Sequence, residues 1–223
     1  MKDRKFKKIT IAILAVLVLA FFITGCNDEA PNNLSKEPKA ESTQKVSADL
    51  RSYFPLIEGM NYSYTGKGIE YASFTRRVQY IDRPYLQLAE DNGGTVMGEV
   101  YRVTEDKLEL IHKGEEFYQD DNLISQVDKD SPPIKIILEA PLKVGKSWTT
   151  DGEKREIVAI DETVTLPAGR FYNVIKIKST RESTDSTTYE YYAENIGLIL
   201  REFHSGETRI ISKLASFGID KNQ

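Results

Sequence analysis

The chain has 223 residues, 40% hydrophobic and 29% charged, which suits one moderate core better than several domains. Its net charge of −4 is unevenly spread, because residues 1–25 hold five Lys/Arg and one Asp, leaving 25 basic and 33 acidic residues, or −8, on the rest. A body so balanced, with no dense basic run after Lys8, repels polyanions, so nucleic acid is excluded as a partner.

The N-terminus reads Lys2-Asp3-Arg4-Lys5-Phe6-Lys7-Lys8, then an apolar run over 9–23, then Thr24-Gly25-Cys26. A positive stretch, a hydrophobic stretch and small residues before a cut are the three parts of a signal peptide, here 1–25. The positive end stays in the cytoplasm while the apolar run enters the bilayer. The apolar run falls short of the ~20 residues that span a bilayer comfortably, which favours a cleaved leader over an uncleaved anchor. The Ile23-Thr24-Gly25-Cys26 segment resembles the lipobox of bacterial lipoproteins, with Ile23 in place of the commoner Leu. That resemblance implies cleavage between Gly25 and Cys26, with fatty chains such as palmitate carried on the new N-terminal Cys26 and an address on the extracytoplasmic face of the cell membrane. Two acyl chains hold a protein stably where one does not. Cys26 is also the only cysteine, which excludes intramolecular disulfides, multi-cysteine zinc sites and iron–sulfur clusters.

Residues 26–46 are polar and nearly free of large apolar side chains, so they are expected to form a flexible tether. Order is expected from residue 47, where Ser47-Ala48-Asp49-Leu50-Arg51 caps a short helical turn ahead of Tyr53 and Phe54. From Asn61 the pattern has period two, with turn signals every eight to twelve residues. Phe74, Val78 and Tyr80 alternate with Thr75, Arg77 and Gln79, and Leu108 and Leu110 with Lys107 and Glu109. Turns are expected at Asp91-Asn92-Gly93-Gly94, Asp151-Gly152, Pro167-Ala168-Gly169 and Ser205-Gly206. Over 114–133 the alternation lapses, and the stretch reads as a long acidic loop. The expected fold is all-β: a curved antiparallel sheet or half-barrel over 47–218, with at most a short N-terminal helix and a tail at 219–223.

Pro55-Leu56-Ile57-Glu58-Gly59-Met60-Asn61-Tyr62 and Pro141-Leu142-Lys143-Val144-Gly145-Lys146-Ser147-Trp148 share the spacing P-L-x-x-G-x-x-aromatic. Two copies point to two related β-units, 53–113 and 135–216, each with a glycine turn and an aromatic that starts a strand against the core. Two copies are too few for a solenoid or propeller. Leu166-Pro167-Ala168-Gly169-Arg170-Phe171-Tyr172-Asn173-Val174 and Tyr191-Tyr192-Ala193-Glu194-Asn195-Ile196-Gly197-Leu198-Ile199 resemble the PAG-x-F-x-x-V and YYA-x-x-[VI]-G-L segments of a group of uncharacterised bacterial lipoproteins and periplasmic β-proteins. The group often has Pro-Gly where Glu194-Asn195 stand here. The resemblance implies a curved antiparallel sheet akin to lipoprotein-carrier half-barrels, and brings no established activity.

No catalytic set is visible. There is no G-x-S-x-G, and His204-Ser205-Gly206 reads as a hairpin turn rather than part of a hydrolase triad. His112 ends a strand. Gly66-Lys67-Gly68 lacks the spacing of a phosphate loop, and Asp120, Asp121, Asp128 and Asp130 do not follow an EF-hand order, so a solvated loop is favoured over a calcium site. No cofactor is expected. Strand tyrosines are mostly structural, but Tyr62, Tyr64, Tyr101, Trp148 and Tyr191 are the candidate aromatics for a ligand face. The favoured expectation is a non-enzymatic lipoprotein that binds a small ligand or envelope component. A lipid or lipoprotein carrier with a hydrophobic half-barrel cavity, and an envelope hydrolase with paired carboxylates, are the alternatives.

Overall fold

The computed structural model describes residues 49–54 and 56–219; the leader, Gly25, Cys26, the tether, Pro55 and the last four residues lie outside them. The described residues form an all-β fold of twelve antiparallel strands in one curved, nearly closed sheet. The first six are β1 (Met60–Lys67), β2 (Phe74–Asp82), β3 (Tyr85–Asp91), β4 (Val96–Val103), β5 (Lys107–Gly114) and β6 (Lys135–Glu139). The second six are β7 (Ser147–Thr150), β8 (Glu153–Leu166), β9 (Gly169–Arg181), β10 (Ser186–Ala193), β11 (Gly197–Ser205) and β12 (Thr208–Ile219). Each set is a hairpin meander, and β1 pairs with β12 to give the order β6-β5-β4-β3-β2-β1-β12-β11-β10-β9-β8-β7.

The two edges, β6 and β7, meet without a backbone ladder. The Ile136 N–H donates to Thr150 Oγ1 at 2.8 Å, and Trp148 Nε1 donates to the Ile136 carbonyl at 3.0 Å. Arg155 donates to the Ile137 carbonyl at 3.2 Å. Side chains thus occupy the edge groups that would otherwise pair with a foreign strand. One end of the interior is filled by the N-terminal segment. Asp49 caps a 3-10 turn, Leu50–Tyr53, by accepting from the Arg51 N–H. Leu50, Tyr53 and Phe54 enter the core, with the Phe54 ring 4.9 Å from that of Tyr101.

The two halves follow one plan. Gly59 and Gly145 both have positive φ, the region glycine enters without steric cost. The Gly59 N–H donates to Val78 of β2 at 3.0 Å and the Gly145 N–H to Ile157 of β8 at 2.9 Å. Tyr62 lies opposite Arg76, and Trp148 opposite Arg155. Bulges follow Val78 in β2 and Ile157 in β8. Glu99 of β4 faces Lys113 of β5, and Glu190 of β10 faces Arg201 of β11. The halves divide between β6 and β7 rather than before residue 135: β6 pairs with β5 and closes the first half, not the second.

The bulge after Val78 corrects the expected alternation in β2. It puts Tyr80 on the outer face beside Gln87, while Arg76 shares the inner face with Phe74 and Val78. Period two assigned Arg76 no side of its own; closure of the sheet turns that face inward and buries the guanidinium.

Candidate functional site

Among the described residues the interior is closely packed. Its apolar layer holds Tyr62, Tyr64, Leu86, Tyr101, Leu108, Trp148, Ile157, Ile177 and Leu214. Above it lies an ionic layer repeated in both halves. In the first, Arg76 pairs with Glu90 at 2.6 Å, and Glu99 takes both Lys113 at 3.2 Å and the Tyr101 hydroxyl at 2.6 Å. In the second, Glu190 takes Arg155 at 2.6 Å, Arg201 at 3.2 Å and the Tyr192 hydroxyl at 3.2 Å. Burial alone would raise the Glu190 carboxyl, but Arg155, Arg201 and Lys135 outweigh it and hold it well below the usual carboxylate range. Glu90 is lowered in the same way, against its burial, by Arg76 and Arg201. The interior void lined by Phe54, Tyr62, Tyr64 and Arg76 measures about 20 Å³, room for roughly one water.

The five aromatics expected on a ligand face are packed side chains, of which Tyr64 also lines a hollow of about 490 Å³ beside Tyr71. Tyr62, Tyr64, Tyr101, Trp148 and Tyr191 are all buried. The Tyr64 hydroxyl donates to the Leu198 carbonyl at 2.7 Å and its ring stacks on Phe74 at 4.3 Å, which is core packing. Tyr191 donates to Glu202 at 3.3 Å, and the Lys176 ammonium lies 5.0 Å from its ring. A hydrophobic half-barrel cavity of ligand size is not what these side chains line.

The concave surface is outside. Three adjoining hollows of about 490, 280 and 200 Å³ lie along β2, the second and third on its outer face and the first at its start, where Tyr64 and Phe74 join Thr75 and Asp91 in the lining. The first and second share Thr75 and Asp91, and the second and third share Arg77, Gln79 and Asp120, so together they form one trough. Tyr71 stands at one end, 51% exposed, and Tyr118 on one wall, 68% exposed.

That wall is the acidic loop 115–134, whose acidic side chains are exposed as expected of a solvated segment, while its backbone and apolar residues are anchored to the sheet. Gln87 of β3, fully buried, is its clamp: its amide donates to the Asp121 carbonyl at 2.7 Å and to Gln79 Oε1 at 3.0 Å. Its carbonyl oxygen accepts from the Leu123 N–H at 2.7 Å. Ile124 completes a second small core on the outer face with Tyr85, Val100 and Ile111. Asp120 is held by the guanidinium of Arg77, by Gln79 at 2.6 Å and through its carbonyl by the Tyr80 hydroxyl at 2.7 Å. Asp120, Asp121, Asp128 and Asp130 do not converge: among the described residues no group of three His, Cys, Asp or Glu is placed to hold a metal ion. His204 lies at the end of β11 before the turn into β12, its ring centroid 5.6 Å from that of Tyr189 in an edge-on arrangement.

Gly98 makes the seating possible. A Cβ there would lie 2.7 Å from both Phe117 and Leu123, closer than packed atoms tolerate. Gly98→Val is therefore expected to lift the loop from the sheet at a cost of about 1–3 kcal/mol. Limited proteolysis checks this: cleavage within 115–127 should rise at least tenfold while the strands stay resistant, and a loop as resistant as the native one would refute the assignment.

The trough sits where the halves differ. The β2–β3 and β8–β9 connections have two residues each, and the β4–β5 and β10–β11 connections three each. The second half joins β7 to β8 through Asp151-Gly152 alone and β11 to β12 through Gly206-Glu207 alone. The first half places residues 68–73 and 115–134 at those two positions. Tyr71 comes from one insertion and Tyr118 from the other. Period-two reading could not find them, since both lie off the strands.

No family model matches the chain, and no curated protein does. A crystal structure from Bacteroides fragilis NCTC 9343, of a protein provisionally named as exported with a YmcC-like fold, is 18% identical over 74% of this chain and 98% of that one, with a TM-score of 0.44. A Parabacteroides distasonis ATCC 8503 protein provisionally named a lipoprotein is 13% identical over the same shares, with a TM-score of 0.41.

Proposed function

We propose that this chain is an extracytoplasmic lipoprotein, tied to the cell membrane by fatty chains on Cys26, whose β-domain binds an envelope component in the trough along β2. The address is supported by the order of the leader: basic residues, apolar run, then Ile23-Thr24-Gly25-Cys26. Among the described residues no helix is long and apolar enough to cross a membrane, so in this reading the lipid supplies the attachment.

The single observation that carries the binding role is the contrast between a packed interior and a preformed outer trough. Glu90 and Glu190 do not suit the role of a hydrolase's general acid, which works with a raised pKa, because both are lowered by the arginines that hold them. The carrier reading loses support from the 20 Å³ void, since a lipid chain needs a cavity of several hundred Å³.

Cys26→Ser is expected to move the protein from the membrane fraction into the soluble extracytoplasmic fraction or to leave it with an unprocessed leader. Mass spectrometry of the native protein should find Met1 to Gly25 removed and diacylglycerol on Cys26. An intact Met1 with an unmodified thiol would overturn the address.

A further inference from the structure

We propose that the trough along β2 receives an uncharged or N-acetylated oligosaccharide chain; this rests on the reading of the trough as the binding site and names its ligand class. Shape is the first argument. The hollows join end to end and stay open along their length, which suits an extended polar chain rather than an acyl chain, for which the sealed interior would be the place.

The lining is the second. A sugar ring presents apolar C–H faces and in-plane hydroxyls. Its faces match flat amphipathic rings, and its hydroxyls match side chains that donate and accept in a plane. Tyr71 and Tyr118 offer exposed rings, and Thr75, Arg77, Gln79, Asp91 and Asp120 lie along the floor and wall. Part of this lining is already held in place. The Tyr71 ring rests on Gly94, where an added Cβ would lie 2.7 Å from it. Arg77, Gln79 and Asp120 hold one another. Groups held before binding lose little entropy on binding.

Charge is the third argument, and it narrows the class. Glu58, Glu70, Asp91 and Asp120 border the trough, and its one lining cation, Arg77, is spent on Asp120. On a body of net −8 such a surface turns away phosphate-rich or uronate-rich polymers. Uncharged and N-acetylated sugars meet no such barrier.

Divergence between the halves is the fourth. In the second half the outer position matching Gly98 is Tyr189, one residue before Glu190 as Gly98 precedes Glu99, and the Lys176 ammonium covers it at 4.8 Å. At this position the second half is covered by its own side chains, whereas the first half, with its two insertions, seats Phe117 and Leu123 there and has the trough beside them.

The test uses the full mature chain in nanodiscs on a panel of immobilised glycans covering uncharged, N-acetylated and anionic oligosaccharides, followed by calorimetry with the best uncharged one and with hexalysine. Binding to uncharged or N-acetylated members, weakened at least tenfold by Tyr118→Ala and by Tyr71→Ala, is expected. Both rings are more than half exposed, so an unchanged melting curve verifies that the variants stay folded. Binding confined to anionic glycans, or unaffected by both substitutions, overturns the ligand class. If hexalysine alone binds, and does so through Tyr118, the class is wrong while the trough stands as a site. If no probe responds to either substitution, the class and the trough both fall.

Discussion

Glu190→Gln is expected to lower the unfolding free energy by about 3 kcal/mol, because it removes the nearest counter-charge of the buried Arg155 guanidinium and leaves it only Glu153 at 3.9 Å. Arg155 is only 1% exposed, and Glu190 meets it at 2.6 Å. Urea unfolding checks the effect, read as a lower midpoint at an unchanged slope. Arg155→Met combined with Glu190→Leu removes both charges but also takes from Arg201 the carboxylate it meets at 3.2 Å, so it is expected to recover part of the loss. A single variant within 1 kcal/mol of the native protein would show that solvent reaches this pair.

The same residues set a pH dependence. Glu190 and Glu90 have folded-state pKa values below those of the unfolded chain, so they contribute stability that is fully present above the ordinary carboxylate pKa. That contribution is lost as pH falls through the carboxylate range, when the unfolded chain takes up protons that the folded one refuses. Stability should decline below about pH 4.5, with a shallower decline in Glu190→Gln. Equal slopes for the two proteins would place the acid-sensitive groups elsewhere.

The strands and their turns were legible because each depends on neighbours in sequence. Asp151-Gly152 is a two-residue turn with φ of 49° and 67°, the conformation such hairpins require. The paired P-L-x-x-G-x-x-aromatic segments marked the duplication, which the matching glycine turns, bulges and ionic pairs extend along the halves. What stayed hidden depends on distant partners. Arg155 and Glu190 look like wet-face residues until the sheet closes on them. Tyr62 and Tyr64 look like a ligand face until the N-terminal turn and β11 fill the space beside them. Gln87 offers no signal at all: one amide in a strand becomes the loop's clamp only when residues 121–123 return over it. The trough was illegible for the same reason, being made where two insertions fold back onto β2.

Trp148→Ala is expected to cost about 3–5 kcal/mol, the range for removing a large buried aromatic, and to open the sheet at its weakest joint. Trp148 is buried, and its Nε1–H makes one of two side-chain hydrogen bonds between β6 and β7, with a third reaching β6 from Arg155 of β8, where no ladder connects the edges. Its loss leaves the Ile136 carbonyl unpaired and removes the surface over which the Arg155 guanidinium lies, 5.9 Å from the ring. Trp148→Phe separates the two contributions: most of the packing remains, and the missing donor should cost about 1–3 kcal/mol. Hydrogen exchange locates the effect, with amides of β6 and β7 losing protection well before those of β1 and β12, which lie in the middle of the sheet order. With its edges freed, the Trp148→Ala protein should also self-associate as concentration rises, since an uncovered strand edge pairs with the next available one. Uniform loss of protection across all twelve strands would mean that the seam opens only with global unfolding, and the sheet would then behave as a fully closed barrel.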